Sequence, residues 1–194
     1  MEQLITQFDF SILDFIYEYV RCDFLDPIMM CISHFAKSGI GWILLGLILL
    51  IPKKTRAFGI MALSAMALGF IINDLTIKNI FMRTRPYDAY EIYHSIPLPF
   101  NLNAGKEGSF SFPSGHTCCS FASAVVYLKC NKKWGIPALI FAFLVGFSRM
   151  YNYVHYFTDV VGGALVGTAC ALLVVWVFKK YKLDNKINRI NQEA

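Results

Sequence analysis

Apolar residues in this chain collect into long runs separated by short polar turns instead of alternating with polar ones, the pattern of membrane-spanning helices. From Ile5 to Val20, the residues Ile5, Phe8, Ile12, Phe15 and Tyr19 recur at helical spacing, while Asp9, Asp14 and Glu18 break the apolar character. That segment reads as an amphipathic helix lying at the bilayer interface. Asp26-Pro27 opens a run to Ile51 that His34, Lys37, Ser38, Gly39 and Gly41 interrupt, so it crosses once or splits into two shorter helices. After the turn Pro52-Lys53-Lys54-Thr55-Arg56, a span is predicted from Ala57 to Ile77. Pro86, Pro97, Pro99, Gly105 and Gly108 make the stretch from Arg83 to Phe112 an external loop of irregular structure. Further spans are predicted from Ser114 to Leu128, with Ser114 as N-cap, from Trp134 to Phe147, and from Thr158 to Phe178. In the last, Gly163 and Gly167 form a small-xxx-small pair that lets a second helix approach closely, and packing within the chain is a simpler use for it than dimerisation. The expected fold is all-α: a polytopic membrane helix bundle of about five to six transmembrane helices plus an N-terminal interfacial helix, forming one domain over residues 1–194.

Composition agrees, with 56% of residues hydrophobic and 16% charged. The opening segment carries Glu2, Asp9, Asp14 and Glu18 where a signal peptide needs a basic region and an apolar core, so none is expected and the spans themselves direct insertion. The net charge of +5 comes from Lys and Arg at the ends of spans and speaks of topology, not of nucleic acid. Lys53, Lys54 and Arg56, then Lys129, Lys132 and Lys133, then Lys179, Lys180, Lys182, Lys186 and Arg189 all fall on one side, which the positive-inside tendency makes cytoplasmic. The six cysteines show no metal-ligand spacing with a histidine and read as free thiols.

Three polar motifs fall on the opposite side. Lys78 and Arg85 are seven positions apart, so on a continuous helix they share a face and offer two cations to a phosphate. Pro113-Ser114-Gly115-His116 opens a helix, where backbone N–H groups and the positive dipole end hold an anion, Gly115 permits close approach and the Ser114 hydroxyl adds a donor. In Ser148-Arg149-(five residues)-His155-(three residues)-Asp159, Arg149 supplies a forked donor for two phosphoryl oxygens. If the segment is helical, the Asp159 carboxylate accepts the proton of one His155 nitrogen and leaves the other nitrogen as a nucleophile. Each motif has a plainer reading: cations snorkelling to the interface or Lys78 paired with Asp74, an ordinary N-cap, and a helix-capping His–Asp pair. Their shared side and chain order favour a single site. His34 and His94 lie outside the pattern and read as structural or loop residues.

Together the three motifs resemble the signature of the type 2 phosphatidic acid phosphatase family, also called lipid phosphate phosphatases, which share an active site with vanadium-dependent haloperoxidases. The resemblance spans Lys78 to Asp159, with every position of the pattern filled, and says little about the N-terminal third. It implies a metal-independent, cofactor-free hydrolase of a bacterial plasma membrane with its site on the extracytoplasmic face. His155 would be the nucleophile that forms a phosphohistidine, Asp159 would orient it, and His116 would protonate the leaving oxygen and then activate water. Lys78, Arg85, Ser114, Gly115, Ser148 and Arg149 would bind the phosphoryl oxygens. The implied partners are the bilayer and a lipid phosphate or diphosphate, with a polyprenyl diphosphate such as undecaprenyl diphosphate first. Phosphatidylglycerophosphate, phosphatidate and lipid A phosphates remain open, as do, further off, a vanadate haloperoxidase and a non-catalytic lipid-binding protein.

Overall fold

The computed structural model describes residues 2–97 and 107–183. Pro99 and Gly105, and the tail cations Lys186 and Arg189, lie outside the described residues. The described chain folds as helices throughout, in the order α1 (Glu2–Phe15), α2 (Leu25–Phe35), α3 (Ile40–Leu50), α4 (Arg56–Gly69), α5 (Lys78–Phe81), α6 (Pro86–His94), α7 (Gly115–Cys130), α8 (Lys132–Tyr151) and α9 (Phe157–Lys180). A π-helical stretch, Phe70–Ile77, joins α4 to α5 without a break.

The bundle is built around α7. Its middle, from Ser120 to Tyr127, is buried, and it packs against α9, α8 and α4. Only small side chains allow that: a Cβ added to Gly163 would come within 2.4 Å of the Ser114 carbonyl oxygen, and one added to Gly167 within 2.2 Å of the Cys118 carbonyl oxygen. The small-xxx-small pair therefore brings α9 backbone onto α7 backbone inside one chain. Around this centre Leu44, Leu47, Ile48, Phe70, Ile71, Leu165, Leu172, Leu173 and Trp176 face outward and exposed, an apolar surface of the kind a bilayer covers. Three segments, one beginning at Arg56 and then Lys132–Tyr151 and Phe157–Lys180, are long and apolar enough to cross a membrane, and the bent pair of α2 and α3 counts as a fourth.

The run from Asp26 to Ile51 does split. Ser38 at φ 51° and Gly39 at φ 71° turn the chain through 47° between α2 and α3. At the other end of α3 the side chains of Thr55 and Arg56 reach back and donate to the carbonyls of Leu49 and Leu50, both at 2.9 Å, satisfying groups that a helix terminus leaves unpaired. Lys54, Lys129 and Lys179 line one shallow recess at this end, so the basic turns do gather together.

Two expectations need correction. The stretch from Arg83 to Phe112 is not irregular throughout, because Pro86 at the first helical position starts the nine-residue helix α6. The first helix is more than an interfacial float. Of its stripe, Ile5, Phe8, Phe15 and Tyr19 are exposed, but Ile12 is half-buried, and Asp9, Phe10, Leu13 and Ile16 are buried, with the apolar three packed among Tyr90, Tyr151, Tyr153 and Tyr156.

Candidate active site

All three motifs sit at the end of the bundle opposite the lysine recess, but they do not arrive as the helical periodicity suggests. Lys78 and Arg85 do not share a helical face. Met82 adopts a left-handed conformation at φ 44°, α5 stops at Phe81, and Arg85 is extended at the N-cap of α6. The helix break swings the Arg85 side chain into the bundle, where its Nη1 donates to the Val154 carbonyl at 3.0 Å and contacts His155 Nε2 at 3.3 Å. Its Nε and Nη2 are taken up by the Ser109 carbonyl and hydroxyl at 2.7 and 3.1 Å. Lys78 is buried and paired with Asp74 at 2.7 Å, the plainer reading of that residue, yet it lines the same cavity as His116.

Ser114 is the N-cap of α7: its hydroxyl accepts from the Thr117 amide at 3.5 Å and the Thr117 hydroxyl at 3.0 Å. Gly115 does serve close approach, though of a different group. A Cβ there would lie 2.8 Å from an Asp74 carboxylate oxygen, so the glycine is what lets the Lys78–Asp74 pair sit against the start of α7. Asn73 ties the same two elements by donating to the Pro113 carbonyl at 3.3 Å. Ser148 turns away from the cup and donates to the Val145 carbonyl of its own helix at 2.7 Å.

Arg149, at the end of α8, is 2% exposed; its Nη1 bonds the Ser33 hydroxyl of α2, and its Nη2 bonds Glu107. His155 lies in the turn between α8 and α9 and is wholly buried. Arginine has only donors to offer, so Nε2 of His155 faces Arg85 as an acceptor and the ring proton belongs on Nδ1, which points to Asp159 Oδ2 at 3.4 Å. Burial, reinforced by Arg85 and Arg149, holds this imidazole well below its ordinary pKa, so the lone pair on Nε2 is available at neutral pH. Asp159 also caps its own helix by accepting from the Tyr156 amide at 2.9 Å, so one carboxylate oxygen meets both the helix start and the imidazole.

Glu107 occupies the middle of the cup. Its carboxylate bonds Arg85 at 2.8 Å and also bonds Arg149, and one carboxylate oxygen lies within 4.8 Å of ring nitrogens of both His116 and His155. Burial pushes this carboxyl up, but the Arg149 and Arg85 guanidiniums more than reverse it and hold it at about 2. A glutamate and two imidazoles this close resemble a metal ligand set, but two guanidiniums already share the carboxylate, so the charge of the cup favours an anion. A cavity of about 730 Å³ opens from it; Lys78, Glu107 and His116 lie at its polar end, and Ile43, Leu63, Met66, Ala67 and Phe70 line its apolar flank.

Four contributors carry no signature in the sequence. Glu107 and Ser111 come from the segment leading into α7, Ser33 from the bent pair, and Asp9 from α1. Ser111 donates to Asp159, and Arg83 bridges Asp159 at 2.7 Å to Asp9 at 2.6 Å. Asp9 also accepts from the Thr158 amide and hydroxyl at 3.0 and 2.6 Å, which anchors the first helix to the start of α9. Arg83 had a faint signal, an arginine two positions before the motif arginine at a membrane edge.

A bundle of long apolar helices with two buried guanidiniums and two imidazoles gathered about one carboxylate has the class of site that a membrane phosphatase needs. The sequence model of the PAP2 superfamily matches residues 54–183, and the chain belongs to that superfamily of membrane lipid phosphatases. It is 30% identical over 154 residues to an undecaprenyl-diphosphatase of Sulfolobus acidocaldarius, covering 79% of this chain and 70% of that one. To the undecaprenyl-diphosphatase BcrC of Bacillus subtilis it is 31% identical, over 81% of this chain and 75% of the relative. Its fold is similar to the crystal structure of a transmembrane PAP2-type phosphatidylglycerolphosphate phosphatase from Bacillus subtilis, with a TM-score of 0.70, 27% identity, and coverage of 91% of this chain and 87% of that one.

Proposed function

We propose that this phosphatase removes the terminal phosphate of a polyprenyl diphosphate, undecaprenyl diphosphate first, at the extracytoplasmic face and through a phosphohistidine, without a metal. His155 Nε2 attacks phosphorus and forms the N–P bond while the P–O bond to the lipid breaks. His116, held protonated by the charge of the bound phosphate, gives its proton to the departing oxygen. Water then attacks phosphorus, His116 takes its proton, and the N–P electron pair returns to Nε2. Arg85 and Arg149, with Lys78 and the Ser114 and Gly115 turn, hold the phosphoryl oxygens, and Asp159 keeps the His155 proton on Nδ1. Ser148 holds no phosphoryl oxygen through its hydroxyl, whose proton goes to the Val145 carbonyl.

The observation that carries this reading is the convergence of Arg85, Arg149, His116 and His155 on one carboxylate oxygen pair, in the position a phosphoryl group would take. Phosphoryl transfer needs positioned positive charge above all, and the cup supplies it in a site screened from water. A prenyl chain suits the single apolar flank of the cavity, and the names of the two relatives support the diphosphate. The lysine recess at the far end supports an extracytoplasmic site. The solved neighbour favours a second reading, phosphatidylglycerophosphate as substrate.

Phosphate release from undecaprenyl diphosphate, phosphatidylglycerophosphate, phosphatidate and lipid A in detergent, with and without a chelator, tests the proposal. The diphosphate should lead and the chelator should change nothing. Strict dependence on Mg²⁺ would remove the mechanism, and preference for a monoester would move the substrate to the second reading.

A further inference from the structure

Glu107 is not in the anion cup by accident of a loose loop. Its backbone is fixed on both sides by Tyr87, whose hydroxyl donates to the Glu107 carbonyl at 3.1 Å and accepts from the Glu107 amide at 3.0 Å. The residues that follow wrap Arg85 through Ser109 and the Phe110 carbonyl, the latter at 3.3 Å. The side chain so presented makes bonds to both arginines that a substrate phosphate needs. It nevertheless fills the cup incompletely: Arg149 Nε is buried with no hydrogen-bond partner among the described residues. A carboxylate has two oxygens and one charge, whereas a terminal phosphate offers three oxygens and about 1.5 to 2 negative charges at neutral pH.

We propose that Glu107 is a specificity-determining residue, an internal anion that occupies the phosphoryl position in the resting enzyme and yields it to terminal phosphates but not to the phosphodiester headgroups of bulk lipid. The inference rests on the reading of the cup as a lipid phosphate site. A cationic cup open to a bilayer faces phosphodiesters at very high local concentration, each carrying about one negative charge at its phosphorus. Against a tethered carboxylate of equal charge a phosphodiester gains nothing by exchange, while a terminal phosphate gains charge and the spare Nε donor. Glu107 raises the apparent dissociation constant of every anion by the reciprocal of the fraction of time it leaves the cup free, and selectivity comes from which anions still fill the cup against that factor.

The test compares wild type with Glu107→Gln and Tyr87→Phe in detergent micelles, using inorganic phosphate as the probe and phosphatidylglycerol as the competing phosphodiester. In Glu107→Gln the dissociation constant of phosphate should fall about tenfold or more, and added phosphatidylglycerol should displace bound phosphate, as it does not in wild type. KM for a lipid phosphate should fall in the same variant and become sensitive to phosphatidylglycerol. Tyr87→Phe keeps the charge but loosens its tether, and should show the same two changes at a smaller size, so it decides the matter should the glutamine variant not fold. Unchanged or weaker phosphate binding, or indifference to phosphatidylglycerol in all three proteins, would overturn the proposal. If wild type released no phosphate from any lipid, the functional reading would fall, while the binding arms would still judge the role of Glu107.

Discussion

The two ends of the bundle both gather positive charge, and they handle it in opposite ways. At one end Lys53, Lys54, Lys129, Lys132, Lys133, Lys179 and Lys180 are all exposed. At the other Lys78, Arg83, Arg85 and Arg149 are drawn in, each engaged by a carboxylate, with Arg85 and Arg149 only 2% exposed. Solvated ammonium groups cost little and orient a membrane protein. Buried guanidiniums are expensive unless every donor is met, and such an expense is retained where charge is used. The choice of residue follows: lysine where a hydrated point charge suffices, arginine where a planar fork must meet two oxygens.

Substitutions at the two ends should separate these roles. The largest effect is expected for His155→Ala, a loss of phosphate release of about 10⁴-fold or more, with the protein still folded in the membrane. Wild-type activity in that variant would remove the nucleophile. Arg149→Lys keeps the charge but loses the fork, and kcat/KM should drop on the order of 100-fold; an effect below threefold would mean that charge alone matters there. Asp9→Asn reaches the site indirectly. It leaves Arg83 with Asp159 alone and should lower thermal stability in detergent by about 2–3 kcal/mol, less than a fully orphaned buried charge, with a smaller loss of activity. The smallest effect is predicted at the opposite end, where Lys54→Gln, Lys129→Gln or Lys179→Gln in purified protein should stay within about 0.5 kcal/mol of wild type and leave the rate unchanged. A large rate effect there would erase the contrast.

The sequence exposed the spans, the basic end and most of the cup, for a physical reason: charged residues at the ends of apolar runs are conspicuous, and short-range spacings such as that of His155 and Asp159 survive in the fold. What was hidden depends on tertiary contact. Helix α6 is masked in the sequence because its polar composition lies among prolines and glycines, and its start relies on Pro86 after an extended Arg85. Asp9 looked like a water-facing acid on an amphipathic helix, and only the placement of Arg83 and Thr158 makes it a buried one. Ser148 sits inside its motif, yet its hydroxyl serves the preceding turn, so position in a signature did not fix its partner. Glu107 follows no spacing rule at all, and two arginines brought together from distant segments alone reveal it.

Helix α7 has sixteen residues and α9 twenty-four, lengths of about 24 and 36 Å at 1.5 Å per residue. A hydrocarbon layer is about 30 Å thick, which α9 is long enough to span and α7 alone is not. Lys54, Lys129 and Lys179 line one recess, so the two helices share that end and α7 is the shorter by about 12 Å at the other. Gly163, six residues into α9, already meets the Ser114 carbonyl, so the turn that opens α7 lies in the side of the bundle below the top of α9 and not at its rim.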